Sequence, residues 1–325
     1  MFFALAFVLA ADLVPLNDLG PAPYAYGYFG GLYEDGSNVI PADHLAAGLR
    51  RAALIEPRDA NGNPAPDGKV VFLAAGFGET ARIFDAFTAM AASDRRVDHR
   101  ALVLADGAHD GPEFDATAWF LPNSVTNLNR IRDQVLAPAG VTEKQVQVAW
   151  VQMMTSEYDT PLPRQDADAY RVKGYIATAL RNLKARYPNL AVAYLSSRVY
   201  GGYSTVKPEP YAYESAFSVR WVIMGQVTLM RTGFLWDTRI ADVNYETGSV
   251  PWVAWGPYFW ANGTMPRSDG LTWERDDYAA DGDALSDKGA RKGAAMLLDF
   301  LLREPTAAAW FRATGAPGRR RAALP

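Results

Sequence analysis

Hydrophobic residues between positions 69 and 200 fall into two alternating patterns. The first pattern is a short, continuous apolar run, closed by glycine or by polar residues. Runs of this kind are typical of strands that are buried on both faces of a sheet. KVVFLAAG (69–76) is such a continuous run. Strands are also predicted in ALVLADGA (101–108), QVQVAWVQM (145–153) and LAVAYLSS (190–197).

The second pattern places apolar residues three or four positions apart, as on one face of a helix. In residues 79–93, for example, Ile83, Phe84, Phe87 and Met90 have this spacing. Alternation of buried strands with amphipathic helices predicts an α/β fold with a parallel sheet and helices on both faces. The predicted helices lie near 42–54, 79–93, 124–137, 166–187, 213–229 and 287–303.

The rest of the chain divides around this regular core. Residues 12–68 are rich in Gly, Pro, Asn and Asp, with turn signals in GGLYEDGSN and DANGNPAPDG. They predict an irregular lead-in that packs on the core. The α/β domain is expected over 69–311. Residues 312–325 carry Arg319, Arg320 and Arg321 among Gly, Pro and Ala, and they predict a mobile basic tail.

Composition narrows the classes of function. The chain has 325 residues, and a net charge of −4 without a long basic stripe argues against a nucleic-acid partner. There is no cysteine, which excludes disulfides, thiolate metal ligands and a cysteine nucleophile. The three histidines are scattered, so we predict no metal site and no cofactor.

The first residues suggest export. MFFALAFVLAA (1–11) is an apolar run that ends in small residues, like the core and cleavage site of a secretory signal. It has no basic start and is too short to span a bilayer. We therefore expect a secreted or periplasmic protein without an integral membrane span. A buried strand is the alternative interpretation of this segment.

Polar residues follow each predicted strand, where ligands bind in parallel sheets. The resulting candidate loops are 76–80, 106–109, 154–156, 197–200 and 281–284. We expect loop 281–284 to follow a strand as well. A functional site is therefore predicted at this edge of the sheet.

Longer stretches resemble a known superfamily. They are GGLYEDGSN, AGVTEKQVQVAW, YPNLAVAYLSSRVYGGY, KPEPYAYESAFSVRW, PWVAWGPYFWANG, RSDGLTW and AAAWF. Through them, residues 13–311 resemble a group of large bacterial secreted proteins in the SGNH (GDSL-like) hydrolase superfamily. The resemblance implies a flavodoxin-like three-layer α/β/α sandwich with a central parallel sheet, and ester hydrolysis by a Ser-His-Asp triad. It also implies an oxyanion hole from the serine amide, a glycine after the second strand and an asparagine after the third.

The chain departs from this pattern at the catalytic positions. Gly78, in Gly-Phe-Gly-Glu, stands where the resemblance places the serine, and Ala284 stands where it places the histidine. Asp281 and Gly107 persist, whereas MMTSEYDT offers no clear asparagine. We therefore expect a degenerate esterase that keeps a cleft for a small-molecule, carbohydrate or ester ligand. Whether the chain is an enzyme stays open.

Other groups could replace the missing pair. Glu79 and Asp281 could form the two carboxylates of a glycoside hydrolase, about 5–10 Å apart, or bind Ca²⁺ with Asp283. Alternatively, Glu79 is an acid that favours the first turn of a helix. Thr80 could be a nucleophile or a helix cap, and His109 a displaced base in the oxyanion loop or a surface residue.

Two further features could bind a ligand. Trp255 belongs to the aromatic run PWVAWGPYFWANG, which could stack on sugar rings or could fill the core. Arg198 with Glu209 or Glu214 could clamp a polar ligand or form a buried ion pair. A structural subunit with a protein partner is the third functional hypothesis, beside the degenerate esterase and the carboxylate hydrolase.

Overall fold

The structure is a computed structural model that describes residues 13–25, 27–108, 116–119, 123–155 and 159–313. None of the helices in these ranges is long and apolar enough to cross a membrane. Some predictions concern other residues and lie outside the described part. They are the signal segment (1–11), His109, residue 156, and the tail from 314 onwards.

The strands form a hairpin and one larger sheet. The lead-in contains the antiparallel pair β1 (Pro23–Ala25) and β2 (Tyr28–Phe29). The strands of the central sheet are β3 (Val70–Ala75), β4 (Leu102–Asp106), β5 (Val146–Val151), β6 (Val192–Leu195) and β7 (Trp252–Trp255). All neighbours in this five-stranded sheet are parallel, in the order β4-β3-β5-β6-β7.

The helices confirm the helical periodicity of the sequence to within a few residues. Their bounds are α1 (Leu16–Leu19), α2 (Ala42–Ala52), α3 (Gly78–Ser93), α4 (Asn123–Ile131), α5 (Asp168–Arg186), α6 (Tyr211–Thr232), α7 (Asp287–Arg303) and α8 (Ala308–Phe311). The end of α4 continues as a π-helix over Arg132–Leu136. Short 3₁₀ helices cover Glu34–Gly36, Ala116–Trp119, Glu143–Gln145 and Arg275–Asp277.

Alternating side chains of the sheet face two hydrophobic cores. On β3, Val71 and Leu73 belong to the core that includes residues of α5 and α6. Phe72 and Ala74 point the other way, into the core with α3 and α7. Helix α3 packs against α7, and α5 packs against α6. The predicted three-layer α/β/α sandwich is therefore confirmed.

The order of the strands positions the candidate site. Strand β3 comes first along the chain in the central sheet, yet it lies between β4 and β5. After β3, the chain adds β4 on one side of β3 and then β5 on the other side. Ligand sites of open α/β sheets form beside such a reversal of strand order. This order places the start of α3, which follows β3, next to the residues that follow β5.

The aromatic run around Trp255 contains the fifth strand, and Trp252, Phe259 and Trp260 are fully buried, which fits the core-packing interpretation of these three residues. One local prediction needs correction. Asp281 was expected to follow a strand, but in the described chain it follows the 3₁₀ helix Arg275–Asp277. The error arose because the sequence shows that a residue is acidic but not which element precedes it.

Helix α2 packs closely against strand β7 at Gly48, so this glycine is a testable position. A Cβ atom there would overlap the indole ring of Trp252, and this ring is fixed by stacking on His44. We expect Gly48→Ala to lower the free energy of unfolding by about 1–3 kcal/mol, measured by urea denaturation. The matched control is Gly225→Ala in α6, whose Cβ would meet only the flexible tip of Ile240. The gain of about 1 kcal/mol in helix propensity should offset that contact. Equal losses for the two variants would contradict the packing argument.

Candidate functional site

Glu79 occupies the first turn of α3, directly after β3. Its side chain is buried, with 8% of the residue exposed. One carboxylate oxygen, Oε1, accepts hydrogen bonds from Gln152 Nε2 at 2.6 Å and from the Val199 amide at 3.1 Å. The carboxylate is therefore held by groups that follow β5 and β6, and it does not project into open space.

Gln152 is the central residue that sequence reasoning missed. Its Nε2 also donates to the Ser197 carbonyl at 2.9 Å, and its Oε1 accepts from the Thr80 hydroxyl at 2.8 Å. One amide side chain thus ties together the ends of β3, β5 and β6. Gln145 and Gln147 are also polar, so the predicted strand 145–153 carried no signal that singled out Gln152.

Arg198 lies between two carboxylates. Its Nε is 3.7 Å from Glu79 Oε2, and its Nη2 is 3.4 Å from Asp283 Oδ1. Lys207 Nζ lies 2.8 Å from the other oxygen of Asp283. We call Glu79, Gln152, Arg198, Asp283 and Lys207 the Glu79 network. Its charges alternate in sign, so each carboxylate already has a cationic partner.

The pKa values of the two carboxyl groups in the network depend on their burial and on the positive charge of Arg198. Burial raises the pKa of Glu79, and the positive charge of Arg198 only partly opposes this effect. Partial burial also raises the pKa of Asp283, but Arg198 and Lys207 outweigh it, so the net pKa is lowered. The two cations disfavour a Ca²⁺ ion between these carboxylates. Within the described ranges, no group of three or more His, Cys, Asp or Glu side chains could hold a metal ion.

Gly78, where the sequence resemblance places a serine, is the first residue of α3. Two residues later, the Thr80 hydroxyl accepts a hydrogen bond from the Phe77 amide at 3.3 Å and donates to Gln152. Thr80 is fully buried. This geometry fits the helix-cap interpretation of Thr80 and leaves its hydroxyl proton engaged.

Asp281 and Ala284 lie in one turn, in which Asp281 is exposed and Ala284 is half-buried. Asp281 Oδ1 accepts hydrogen bonds from the amides of Asp283 and Ala284, at 2.9 and 3.1 Å. Its carboxylate therefore stabilises its own turn. In the described structure it is Asp283, and not Asp281, that reaches Arg198 beside Glu79. The arrangement does not resemble the two converging carboxylates of a glycoside hydrolase.

The glycine proposed for an oxyanion hole is also engaged. The Gly107 amide donates to the Ala74 carbonyl at 3.0 Å, which extends the pairing of β4 with β3. Its carbonyl accepts a hydrogen bond from Arg130 at 2.6 Å. Next to it, burial raises the pKa of Asp106 to about 7. The Gly107 amide is therefore committed to the sheet.

Glu214 does not form the expected clamp with Arg198. Its carboxylate accepts hydrogen bonds from the Leu162 amide at 2.9 and 3.1 Å, and from the Tyr24 hydroxyl at 3.0 Å. Burial raises the pKa of Glu214 to about 8. Arg198 and Glu214 border a cavity of only about 20 Å³, which has room for little more than a water molecule. Glu209 accepts from Gly201 and Trp260 instead.

Two larger openings are lined by residues other than those of the Glu79 network. A groove of about 900 Å³ runs along α5, past Tyr170 and Thr178. A pocket of about 370 Å³ lies directly after β7, where Trp255 forms part of its wall. An open pocket thus follows β7, whereas the residues after β3, β5 and β6 form a buried polar cluster.

No protein-family model matches the chain, and no curated protein matches it significantly. The chemistry of the site therefore has to be inferred from its own residues. These residues form a polar network in which each carboxylate has a cationic partner, but Glu79 Oε2 accepts no hydrogen bond within the described residues. The described part contains no hydroxyl paired with an imidazole beside Gly78.

Proposed function

We propose that the chain is a non-hydrolytic binding protein on an SGNH-hydrolase-like fold, exported from a bacterial cell. The observation that carries this proposal is that the Glu79 carboxylate is buried and bound by neighbouring groups. At the loop where such a fold holds its nucleophile, a buried carboxylate is bound by Gln152, Val199 and Arg198. The former catalytic position thus serves to join strand ends.

Acyl transfer needs groups that the chain lacks at these positions. A nucleophile must lose a proton to a nearby base, and neither Gly78 nor Ala284 has a suitable side chain. Loss of either triad member costs roughly a million-fold in turnover. Thr80 cannot easily substitute, because its hydroxyl is buried and bonded to Gln152.

Binding remains compatible with the same geometry. The wall of the open pocket after β7 contains no residue of the Glu79 network, and its volume falls in the size range of small-ligand sites. Its wall contains aromatic and polar groups together, as a carbohydrate or ester ligand requires. The signal-like segment 1–11 supports the export part of the proposal.

Hydrolysis of p-nitrophenyl acetate tests the loss of catalysis. We expect the wild type to match a heat-inactivated sample, and the double variant Gly78→Ser, Ala284→His to be at least about tenfold faster. The restored pair would act without an optimised environment, so the expected gain is modest. Gly78 begins α3, a position at which serine is tolerated.

The matched control is Gly78→Ala, Ala284→His, which adds the same imidazole and a Cβ atom but no hydroxyl. It should stay silent. Saturable hydrolysis by the wild type would overturn the proposal. A silent double variant beside a silent wild type would leave the binding function in place and remove the case for an esterase ancestor.

A further inference from the structure

A small pocket lies at the amino ends of β6 and β7. Its volume is about 170 Å³, and its wall includes Ala191 and Pro251, the residues directly before these two strands. The strands of the central sheet are parallel, so this edge is opposite to the carboxyl ends that hold the Glu79 network. The pocket is therefore separate from the candidate site described above.

Three cationic side chains line this pocket. They are Arg51 in α2, Arg58 after α2 and Lys184 in α5, and no Asp or Glu among the described residues lines it with them. Glu246 pairs with Arg51 at 2.5 Å and Glu56 with Arg58 at 3.3 Å, both from outside the wall. These two acids are 58% and 48% exposed, and exposed ion pairs are weak in water. The wall of the pocket thus carries an excess of positive charge.

Arg51 keeps hydrogen-bond donors available. Its side chain is 24% exposed, and its one paired carboxylate lies at Nη2. Its Nε and Nη1 donate to no group in the described part of the chain, and neither nitrogen is enclosed. The guanidinium lies 5.0 Å from the centre of the Tyr245 ring, which favours one orientation. Arg51 can therefore donate to a ligand without first breaking an internal hydrogen bond.

Lys184 is the second donor. Its Nζ donates to the carbonyls of Pro188 and Leu190, both at 2.8 Å. An ammonium group has three protons to donate, so one remains for a ligand. Burial lowers the pKa of Lys184, and the positive charge of Arg51 lowers it further. The two cations are thus close enough to repel each other, and an anion bound beside both would relieve that repulsion.

We propose that this pocket binds a small oxyanion of the phosphate or sulfate type, with Arg51 and Lys184 donating to its oxygens. Charge-assisted bonds from arginine to such oxygens are among the strong hydrogen bonds of proteins. The donors of Arg58 are engaged by Gln147 and Gly62, so this residue adds fixed positive charge.

The size and charge of the pocket select this class of ligand. A volume of about 170 Å³ is too small for most organic ligands but accommodates one tetrahedral group. Three cations favour a dianion over a carboxylate, which has one charge. The oxyanion is either a free ion or the terminal group of a larger molecule. The inference goes beyond the proposed function and does not depend on it, because it concerns the opposite edge of the sheet.

Isothermal titration calorimetry tests the proposal with inorganic phosphate, sulfate, glycerol 3-phosphate and acetate. The buffer is free of phosphate and contains about 150 mM NaCl, which screens general attraction to surface charges. We expect phosphate and sulfate to bind the wild type saturably, with dissociation constants of about 1 mM or below, and acetate to bind more weakly. Tighter binding of glycerol 3-phosphate than of phosphate would support a terminal group as ligand, and the reverse order would support the free ion.

Arg51→Met should weaken phosphate binding by at least about tenfold, through loss of charge-assisted donors. The matched control is Arg50→Met, which removes the same charge from the neighbouring, exposed position of α2 outside the pocket wall. It should bind phosphate like the wild type. Equal losses for the two variants would assign the binding to general electrostatic attraction and overturn the inference.

A second variant keeps the test valid if Arg51→Met unfolds. Glu246→Gln removes the carboxylate that competes for Arg51, and it should raise the affinity for phosphate by at least about threefold. An unchanged or lower affinity in this variant would contradict the role of Arg51. Absence of saturable binding of both phosphate and sulfate to the wild type, up to about 20 mM, would overturn the inference. The p-nitrophenyl acetate assay is a separate test, because it concerns the other edge of the sheet.

Discussion

Replacement of Arg198 with methionine is expected to lower the free energy of unfolding by about 3–5 kcal/mol at pH 7. The variant leaves the Glu79 carboxylate buried without its cation, since Arg198 is the positively charged group 3.7 Å from Glu79 Oε2. Asp283 loses a partner too, but it keeps Lys207. Urea denaturation measures the change.

Arg231→Met is the matched control for this prediction. Arg231 also lies between two carboxylates, Glu34 and Asp43, but its side chain is 35% exposed. Exposed ion pairs contribute about 0–1 kcal/mol, so this variant should lose no more than that. Similar losses for the two arginine variants would contradict a special role for burial.

A double variant identifies the cause of the loss. If the unpaired Glu79 charge destabilises the Arg198→Met protein, then adding Glu79→Gln should restore part of the stability. The free energy of unfolding of the Arg198→Met protein should also recover as the pH falls. A carboxyl whose folded-state pKa is raised favours folding at low pH and loses that contribution as the pH rises through the folded pKa. A double variant no more stable than Arg198→Met would assign the loss to other contacts of Arg198.

Glu214 is expected to produce a large pH dependence of stability. Burial raises its pKa from 4.5 to about 8 in the folded protein. Its contribution is therefore fully present near pH 4 and is lost as the pH rises to about 9. This pKa difference corresponds to roughly 5 kcal/mol in total, of which roughly 4 kcal/mol is lost between pH 5 and pH 9. Glutamine at this position cannot ionise and can still accept from the Leu162 amide.

Denaturation of wild type and Glu214→Gln at pH 5, 7 and 9 measures this effect. The two proteins should have similar stability at pH 5, and the variant should be more stable by roughly 4 kcal/mol at pH 9. Other buried acids affect both proteins equally and cancel in the difference. Glu246→Gln, at a side chain that is 58% exposed, should show a nearly constant difference. A constant difference for Glu214→Gln would contradict the raised pKa.

The sequence alone determined the elements and the layer class of this protein. Strand β3 and helix α3 follow from a continuous apolar run and from the spacing of Ile83, Phe84 and Phe87, which belong to one buried cluster. Such signals are local, because burial on one face imposes a period of 3.6 on a helix and burial on both faces imposes an unbroken run on a strand. The sequence also showed that Gly78 and Ala284 carry no catalytic group.

Only the tertiary structure decided which groups come together beside these positions. Glu79 and Val199 are joined by a hydrogen bond across 120 residues of sequence, and Arg198 and Asp283 across 85. No local pattern encodes such partners, so Asp281 and Asp283 look equally suitable in the sequence. The same holds for Gln152, whose role depends on three strand ends that meet. Residue types set which chemistry is possible, and the long-range packing of the chain selects which groups are close enough to interact.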